Sequence, residues 1–226
     1  MSFLGAVVGY FDPVIDNIGL FADAFLHTLE IVVYAAVGSL ALGTVVAAFR
    51  VSPVSPLRWV GTSWVTVFRN CPLTVVLFFC AFGLPEIGIN GAYFWFGVTG
   101  LVLYTSAFVS EAVRSGINSV SAGQAEAARA IGLTFRQSMG QVVFPQAFRT
   151  VVPPLGSVII AMIKNSAIVG AFGVGNELFS VHATLVSARG LALIPVLLGV
   201  AAGYLIITLT GGALLGVLER KVAIAR

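Results

Sequence analysis

The stretch SAGQAEAARAIGLTFRQSMGQVVFPQAFRTVVPP, residues 121–154, interrupts a chain that otherwise consists of long apolar runs. It carries Glu126, Arg129, Arg136 and Arg149 together with glutamines, and two of its segments have the pattern of a helix start. This content predicts a folded element at the inner membrane surface rather than an irregular loop. We call residues 121–150 the connector, and a membrane protein that builds one is expected to dock a partner there.

The composition predicts an integral membrane protein made of helices. The chain has 226 residues, of which 58% are hydrophobic and 9% charged, and its mean hydropathy is +1.03. A soluble domain carries about 25% charged residues, and a helix needs roughly 20 apolar residues to cross a bilayer core. Five runs are long enough, at residues 25–49, 57–84, 91–110, 155–174 and 191–218. We therefore predict an all-α fold with five transmembrane helices.

The chain is predicted to divide into three parts. Residues 1–23, which carry three aspartates among apolar side chains, are expected to form a short interfacial helix on the outer side. Residues 24–220 form the transmembrane domain, which includes the connector, and residues 221–226 form a cytoplasmic tail. Cys71 and Cys80 have no cysteine or histidine close by in sequence, so they are interpreted as packing thiols rather than as a metal site or a disulfide.

The basic residues predict the orientation in the membrane. Five spans place the two ends on opposite sides, and a cytoplasmic C-terminus leaves only Arg189 outside, apart from Arg69 and Lys164 within spans. The inner side then holds Arg50, Arg58, Arg114, Arg129, Arg136, Arg149, Arg220, Lys221 and Arg226. The positive-inside rule favours this N-out, C-in topology. The pI near 9.1 is therefore attributed to topology and not to nucleic-acid binding.

Within the connector, the sequence predicts two short helices with a bend between them. Ser121 with Gln124, and Thr134 with Gln137, have the spacing of capping boxes, in which side chains satisfy free amides at a helix start. Gly132 stands where a left-handed residue would end the first helix, and Pro145 is expected to interrupt the second. An interfacial amphipathic hairpin without a partner remains the alternative.

The connector resembles the EAA loop of ABC-importer permease subunits. That pattern is Glu-Ala-Ala, a glycine six residues after the glutamate and a later proline. The matching residues are Glu126, Ala127, Ala128, Gly132 and Pro145. Three further blocks resemble the polar amino-acid branch of that family (histidine, glutamine and glutamate importers), with a particular likeness to glutamate-importer permeases of actinobacteria. They are RNCPLTVVLFF at 69–79, YTSAFVSEAVRSGINSV at 104–120 and KNSAIVGAFGV at 164–174.

The resemblance covers residues 24–220 and implies a type I ABC importer permease in the bacterial plasma membrane. In such a complex, Glu126 would pair with a basic residue of an ATPase, while Ala127 and Ala128 allow close approach. The implied partners are two ATPase subunits that hold ATP–Mg²⁺, a second permease chain, identical or homologous, and an extracellular solute-binding protein. This chain has no Gly-x-x-x-x-Gly-Lys-Ser/Thr phosphate loop, so it is expected to bind no nucleotide or other cofactor itself.

Polar residues within the apolar runs are candidates for the substrate path, because a charge in the bilayer normally has a partner or faces water. Lys164, with Asn165 and Ser166, fits either a polar lining for the substrate or a structural ion pair between subunits. Glu111 near the inner end of the third span could pair with Arg114 or belong to an inner gate. Arg69 could pair with Glu111 or with a substrate carboxylate.

Two functions from different classes remain open on the sequence. The first is a permease subunit of an ATP-driven importer for a polar amino acid of the glutamate or glutamine class. The alternative is a self-sufficient secondary carrier or channel with a structured cytoplasmic loop. The sequence shows no catalytic triad, paired carboxylate site or metal-ligand cluster, so no enzymatic activity is predicted for the chain by itself.

Overall fold

The computed structural model describes residues 9–172 and 176–222, and every regular element within these ranges is helical. The helices are α1 (Asp12–Ile15), α2 (Ile18–Val51), α3 (Ser55–Asn70), α4 (Leu73–Phe78), α5 (Leu84–Glu86), α6 (Tyr93–Ser119), α7 (Ala122–Ala130), α8 (Phe135–Ser138), α9 (Phe144–Ala171) and α10 (Leu193–Val222). Short π-helical turns at Phe79–Gly83 and Met139–Val143 join α4 to α5 and α8 to α9. A 3₁₀ turn at Leu178–Ser180 and a π-helical segment at Ala183–Ala188 precede α10. The predicted all-α fold is therefore confirmed.

Among the described residues, four helical runs are long and apolar enough to cross a membrane, and a fifth is obtained if a broken pair counts as one span. The four are Ile18–Val51, Tyr93–Ser119, Phe135–Ala171 and Leu193–Val222, and the broken pair is Ser55–Asn70 with Leu73–Glu86. The predicted second span at 57–84 thus consists of two helical segments, of which the second contains α4, a π-helical turn and α5. Cys71 is extended, with φ −92° and ψ 134°, because a residue before proline is pushed out of the helical region.

Two predicted boundaries at the start of spans differ from the structure. α2 begins at Ile18, inside the predicted N-terminal arm, so no structural boundary lies between residues 23 and 24. A fourth span is predicted at 155–174, after an interruption at Pro145; the structure has a helical run over this region as far as Ala171, but the run begins at Phe135 and continues through Pro145, so the predicted start and interruption are wrong. Pro145 lies in the first turn of α9, directly after the π-helical turn Met139–Val143. A π-helical turn is widened by one residue, so it relieves the clash that a proline ring causes in a regular helix.

The chain divides into two compact units by its internal contacts. The first unit contains residues up to Val37, Leu73–Leu101 and Ala161–Gly211. Its core is formed by buried apolar side chains from α2, the segment before α10, and α10 itself: Phe21, Ala24, Leu178, Val181, Leu185, Val196 and Val200.

The second unit contains Gly38–Pro72, Val102–Ile160 and the residues from Gly212 onward. Val46, Val65 and Ala107 form a buried cluster that brings α2, α3 and α6 together. Trp64 donates its indole N–H to Ser106 Oγ at 3.0 Å, so the half-buried aromatic ring has its polar atom paired. A Cβ at Gly43 would lie 2.5 Å from Val109, which shows how closely α2 and α6 approach.

Candidate functional site

The connector is the first candidate site, and its two helix starts differ in detail. At the start of α8, Thr134 and Gln137 form the predicted capping box: Gln137 N donates to Thr134 Oγ1 at 3.3 Å, and Thr134 N donates to Gln137 Oε1 at 2.9 Å. At the start of α7, Ser121 is the N-cap residue but its side chain makes no capping bond. The Gln124 amide bonds to the Ser121 backbone carbonyl instead, at 3.0 Å. The first predicted capping box is therefore wrong.

Gly132 provides the predicted bend after the first connector helix. Its φ is +92°, a backbone conformation that glycine adopts without the steric cost other residues meet. The Gly132 amide donates to Arg129 O at 3.0 Å, and the Leu133 amide donates to Ala128 O at 3.1 Å, so these two carbonyls near the end of α7 are satisfied. This arrangement closes the helix in the way that the sequence predicted.

Most of the connector's predicted docking residues are accessible. Glu126, Ala127, Gly132 and Pro145 are exposed, whereas Ala128 is 4% exposed and packs within the chain itself. Two large apolar side chains next to the bend are strongly exposed: Ile131 is 81% exposed and Phe135 is 72% exposed. We call Glu126, Ala127, Ile131, Gly132 and Phe135 the coupling surface. Ile131 was not among the predicted docking residues, although an isoleucine directly before a helix-ending glycine is a signal that indicates an apolar contact.

A cluster of charges in the second unit is the second candidate site. Glu111 on α6 accepts a short hydrogen bond from Arg50 Nη1, at the end of α2. Arg69 Nη1, at the end of α3, lies 3.7 Å from the same carboxylate oxygen, and Arg114 Nη2 lies 3.9 Å from the other oxygen. The predicted partners Arg69 and Arg114 are thus both near Glu111. The closest partner is Arg50, 61 residues away in sequence, which sequence analysis did not associate with it.

The polar trio 164–166 belongs to the first unit, and its side chains lie in different surroundings. Lys164 is exposed, Asn165 is half-buried, and Ser166 is 1% exposed and donates to Ile163 O at 2.7 Å. Within the part of the chain that the structure describes, no carboxylate lies within ion-pair distance of Lys164. Ser166 is therefore packed in the interior of the unit, and Lys164 is the member of the trio whose side chain lies on the surface of the unit.

A buried carboxylate in the first unit, that of Glu177, is a further polar element that no sequence motif indicates. Glu177 is 0% exposed, and its carboxylate accepts hydrogen bonds from Tyr204 Oη at 2.7 Å and from the Ser180 amide at 2.6 Å. Burial raises the pKa of Glu177 above its usual range, and the hydrogen bond from Tyr204 and the backbone amides oppose that rise. The Leu178 amide donates to Thr28 Oγ1 at 2.9 Å, which ties the same segment to α2.

Gly170 on α9 is the residue that leaves room for this carboxylate. A Cβ at position 170 would lie 1.7 Å from Glu177 Oε1 and 2.4 Å from Cδ. Gly170→Ala is therefore expected to displace the carboxylate from its donors and to destabilise the protein by about 1–3 kcal/mol, as overpacking does. Thermal denaturation of the purified protein measures this. Gly216→Ala is the matched control, because a Cβ there meets nothing within 4 Å; equal melting temperatures for both variants would contradict the expectation.

Comparisons with known proteins agree on one family. The family described as "Binding-protein-dependent transport system inner membrane component" matches residues 39–224. The probable glutamine ABC transporter permease protein GlnM of Bacillus subtilis is 42% identical over 206 residues, covering 91% of this chain and 94% of that protein. The glutamate transport system permease protein GluC of Corynebacterium efficiens is 41% identical over 215 residues, covering 90% and 94%.

Solved structures show the same fold. A chain from a crystal structure of an amino acid ABC transporter with histidines has a TM-score of 0.84 to this one, with 33% identity. The match covers 98% of this chain and 99% of that chain. A chain of the MetNI methionine ABC transporter in an inward-facing conformation has a TM-score of 0.77 at 20% identity, and this supports the fold alone.

Proposed function

This chain belongs to the family of binding-protein-dependent transport system inner membrane components, and from that premise we propose that it is the permease subunit of an ATP-driven importer for a polar amino acid. The match to glutamine and glutamate permeases over about nine tenths of the chain carries this proposal. Glutamate or glutamine is the proposed substrate class. Transport by this chain is coupled to ATP hydrolysis on other subunits and involves no catalysis by its own residues.

The coupling surface is the proposed contact with the ATPase. An exposed short helix that ends at a glycine bend, with Ile131 and Phe135 projecting beside it, suits insertion into a groove of a partner. Glu126 supplies the charge that pairs with a basic residue there. Ala127 permits close approach of the partner. Ala128 packs inside the chain and Pro145 lies at the start of α9, so both act by shaping the connector. ATP–Mg²⁺ is held by the partner.

The proposed complex contains two ATPase subunits, a second permease chain, identical or homologous, and an extracellular solute-binding protein. It lies in the bacterial plasma membrane with the N-terminus outside and the connector inside, as the distribution of basic residues favours. The proposed contributors to the substrate path are polar residues: the exposed Lys164, with Asn165 and Ser166, and Arg69 with Glu111. Residues 164–166 belong to the first unit of the chain, and Arg69 and Glu111 belong to the second.

Reconstitution tests the proposed function against that of a self-sufficient carrier. The chain is expressed with its neighbouring transport genes, purified by a tag on this subunit, and placed in proteoliposomes with ATP inside. An ATPase is expected to co-purify, and amino-acid uptake is expected to require both ATP and the loaded binding protein. Uptake by the chain alone, driven by an ion gradient without ATP, would show that it is a secondary carrier.

The proposed orientation predicts which positions react with a membrane-impermeant thiol reagent in intact cells. Cys71 and Cys80 are first replaced, and single cysteines are placed at the exposed residues Glu86 and Gln124. Labelling is expected at position 86 and, only after the membrane is permeabilised, at position 124. Glu177 and Ser138 are unsuitable positions because both are 0% exposed. Labelling of position 124 in intact cells would invert the topology and exclude ATPase docking at the connector.

A further inference from the structure

We propose that the cavity at Arg69 binds the α-carboxylate of the transported amino acid, an inference that rests on the proposed function. The cavity has a volume of about 300 Å³ and lies entirely within the second unit. Its lining residues come from the ends of α2 and α3 and from α6: Arg50, Val65, Thr66, Arg69, Asn70 and Glu111.

Arg50 is already satisfied in this cavity and fixes Glu111 in place. Its side chain is 11% exposed and donates to Glu111 Oε1. The stem of Arg50 passes over Gly61, where a Cβ would lie 2.7 Å from Arg50 Cγ and 3.0 Å from Val46 O. Because a largely buried guanidinium needs a charge-assisted partner, Arg50 takes the hydrogen bond to Glu111, and Arg69 and Arg114 lie farther from that carboxylate.

Arg69 is not satisfied in the same way. Its Nη1 lies 3.7 Å from Glu111 Oε1, which is beyond hydrogen-bond distance, and its side chain is 47% exposed. The guanidinium carbon lies 5.7 Å from the centre of the Phe108 ring, so the group is held over an aromatic face. Within the described ranges Arg69 makes no hydrogen bond to the chain, and a guanidinium has five N–H donors in a planar fork that matches a carboxylate.

The charge around the cavity also favours an anion. Three guanidinium groups, those of Arg50, Arg69 and Arg114, share the one carboxylate of Glu111, so these four side chains carry a net positive charge. The Nε of Arg114 is buried and has no hydrogen-bond partner. Every amino acid carries an α-carboxylate, so this site would contribute affinity for glutamate and glutamine alike, while side-chain selectivity arises elsewhere.

Substrate binding to the purified complex, without binding protein, tests the site directly. Radiolabelled L-glutamate and L-glutamine are titrated into the complex in nanodiscs of phosphatidylcholine. Arg69→Gln is expected to weaken binding of both by about 10- to 100-fold, the loss expected for a hydrogen bond between charged groups. Arg69→Lys keeps the charge but loses the fork, so an intermediate loss is expected. Arg58→Gln is the control, since Arg58 is exposed and bonds to Ser52 O and Pro53 O outside this cavity.

Three results would overturn the proposal. The first is a wild-type complex that binds neither amino acid. The second is an Arg69→Gln complex, assembled as judged by subunit stoichiometry, with unchanged affinity; if that variant does not assemble, unchanged affinity of Arg69→Lys counts in the same way. The third is evidence that the cavity binds a phosphate group. Amino-acid binding would then be lost in nanodiscs that contain phosphatidylglycerol, or inorganic phosphate would displace the amino acid in nanodiscs of phosphatidylcholine.

Uptake measured in parallel separates this inference from the proposed function. Wild-type uptake driven by ATP, together with wild-type binding by the Arg69 variants, would remove the site and leave the function standing. Amino-acid binding that depends on Arg69 in a complex without ATP-driven uptake would leave the site standing and remove the function.

Discussion

The double substitution Glu126→Arg with Gly132→Pro is expected to leave the chain inserted in the membrane, to release the ATPase and to abolish ATP-driven uptake. Gly132 has φ +92°, whereas proline is fixed near −65°, so the bend after α7 cannot form. Proline also removes the amide that donates to Arg129 O at 3.0 Å. Glu126 is exposed, and reversing its charge repels the basic partner residue that we propose for it.

Co-purification of the ATPase and uptake into proteoliposomes measure this effect. Glu126→Arg alone is expected to reduce recovery of the ATPase at least about tenfold, which corresponds to roughly 1.4 kcal/mol of binding free energy. Gln124→Arg is the matched control, because Gln124 is an exposed residue of the same helix outside the coupling surface. Normal ATPase recovery and uptake in the double variant would exclude the connector as the docking site.

The local features of the connector could be predicted from sequence because short-range chemistry determines them. A glycine at a helix end and a threonine three residues before a glutamine act on their own backbone neighbours, and both are found as expected at Gly132 and at Thr134–Gln137. The break before Pro72 has the same local origin. The interruption predicted at Pro145 is wrong because the π-helical turn before it accommodates the proline ring, and no composition rule signals such a turn.

The contacts of the charged residues depend on tertiary structure and were only partly predictable. Glu111 has nearby arginines at three sequence positions, and spacing alone suggested Arg114, whereas the hydrogen bond comes from Arg50. Glu177 carries no local signal of burial, yet Gly170 leaves the space in which Tyr204 and a backbone amide hold its carboxylate. Hydropathy places such residues at span ends and says nothing about which helix faces them.

Lys164→Met is expected to leave the complex assembled and to lower uptake and substrate-stimulated ATP hydrolysis by about tenfold or more. Lys164 is exposed on the surface of the chain, and within the described residues it has no ion-pair partner. An ammonium within a span is costly unless it meets water or an opposite charge, so its partner is expected outside this chain. Methionine keeps the length of the side chain and removes the charge. Lys221→Met, at the exposed end of α10, controls for the loss of one positive charge.

The two possible partners of Lys164 predict different failures of the same variant. If the partner is a carboxyl group of the substrate, basal ATP hydrolysis and subunit stoichiometry persist, and only stimulation by the loaded binding protein falls. If the partner is a carboxylate on a neighbouring subunit, the substitution strands a buried charge at a cost of about 3–5 kcal/mol, and the complex dissociates. ATPase activity with and without loaded binding protein, measured beside a stoichiometry determination, separates the two. A stable complex with full stimulation would exclude both roles and leave the cavity at Arg69 as the remaining charged contact for the substrate.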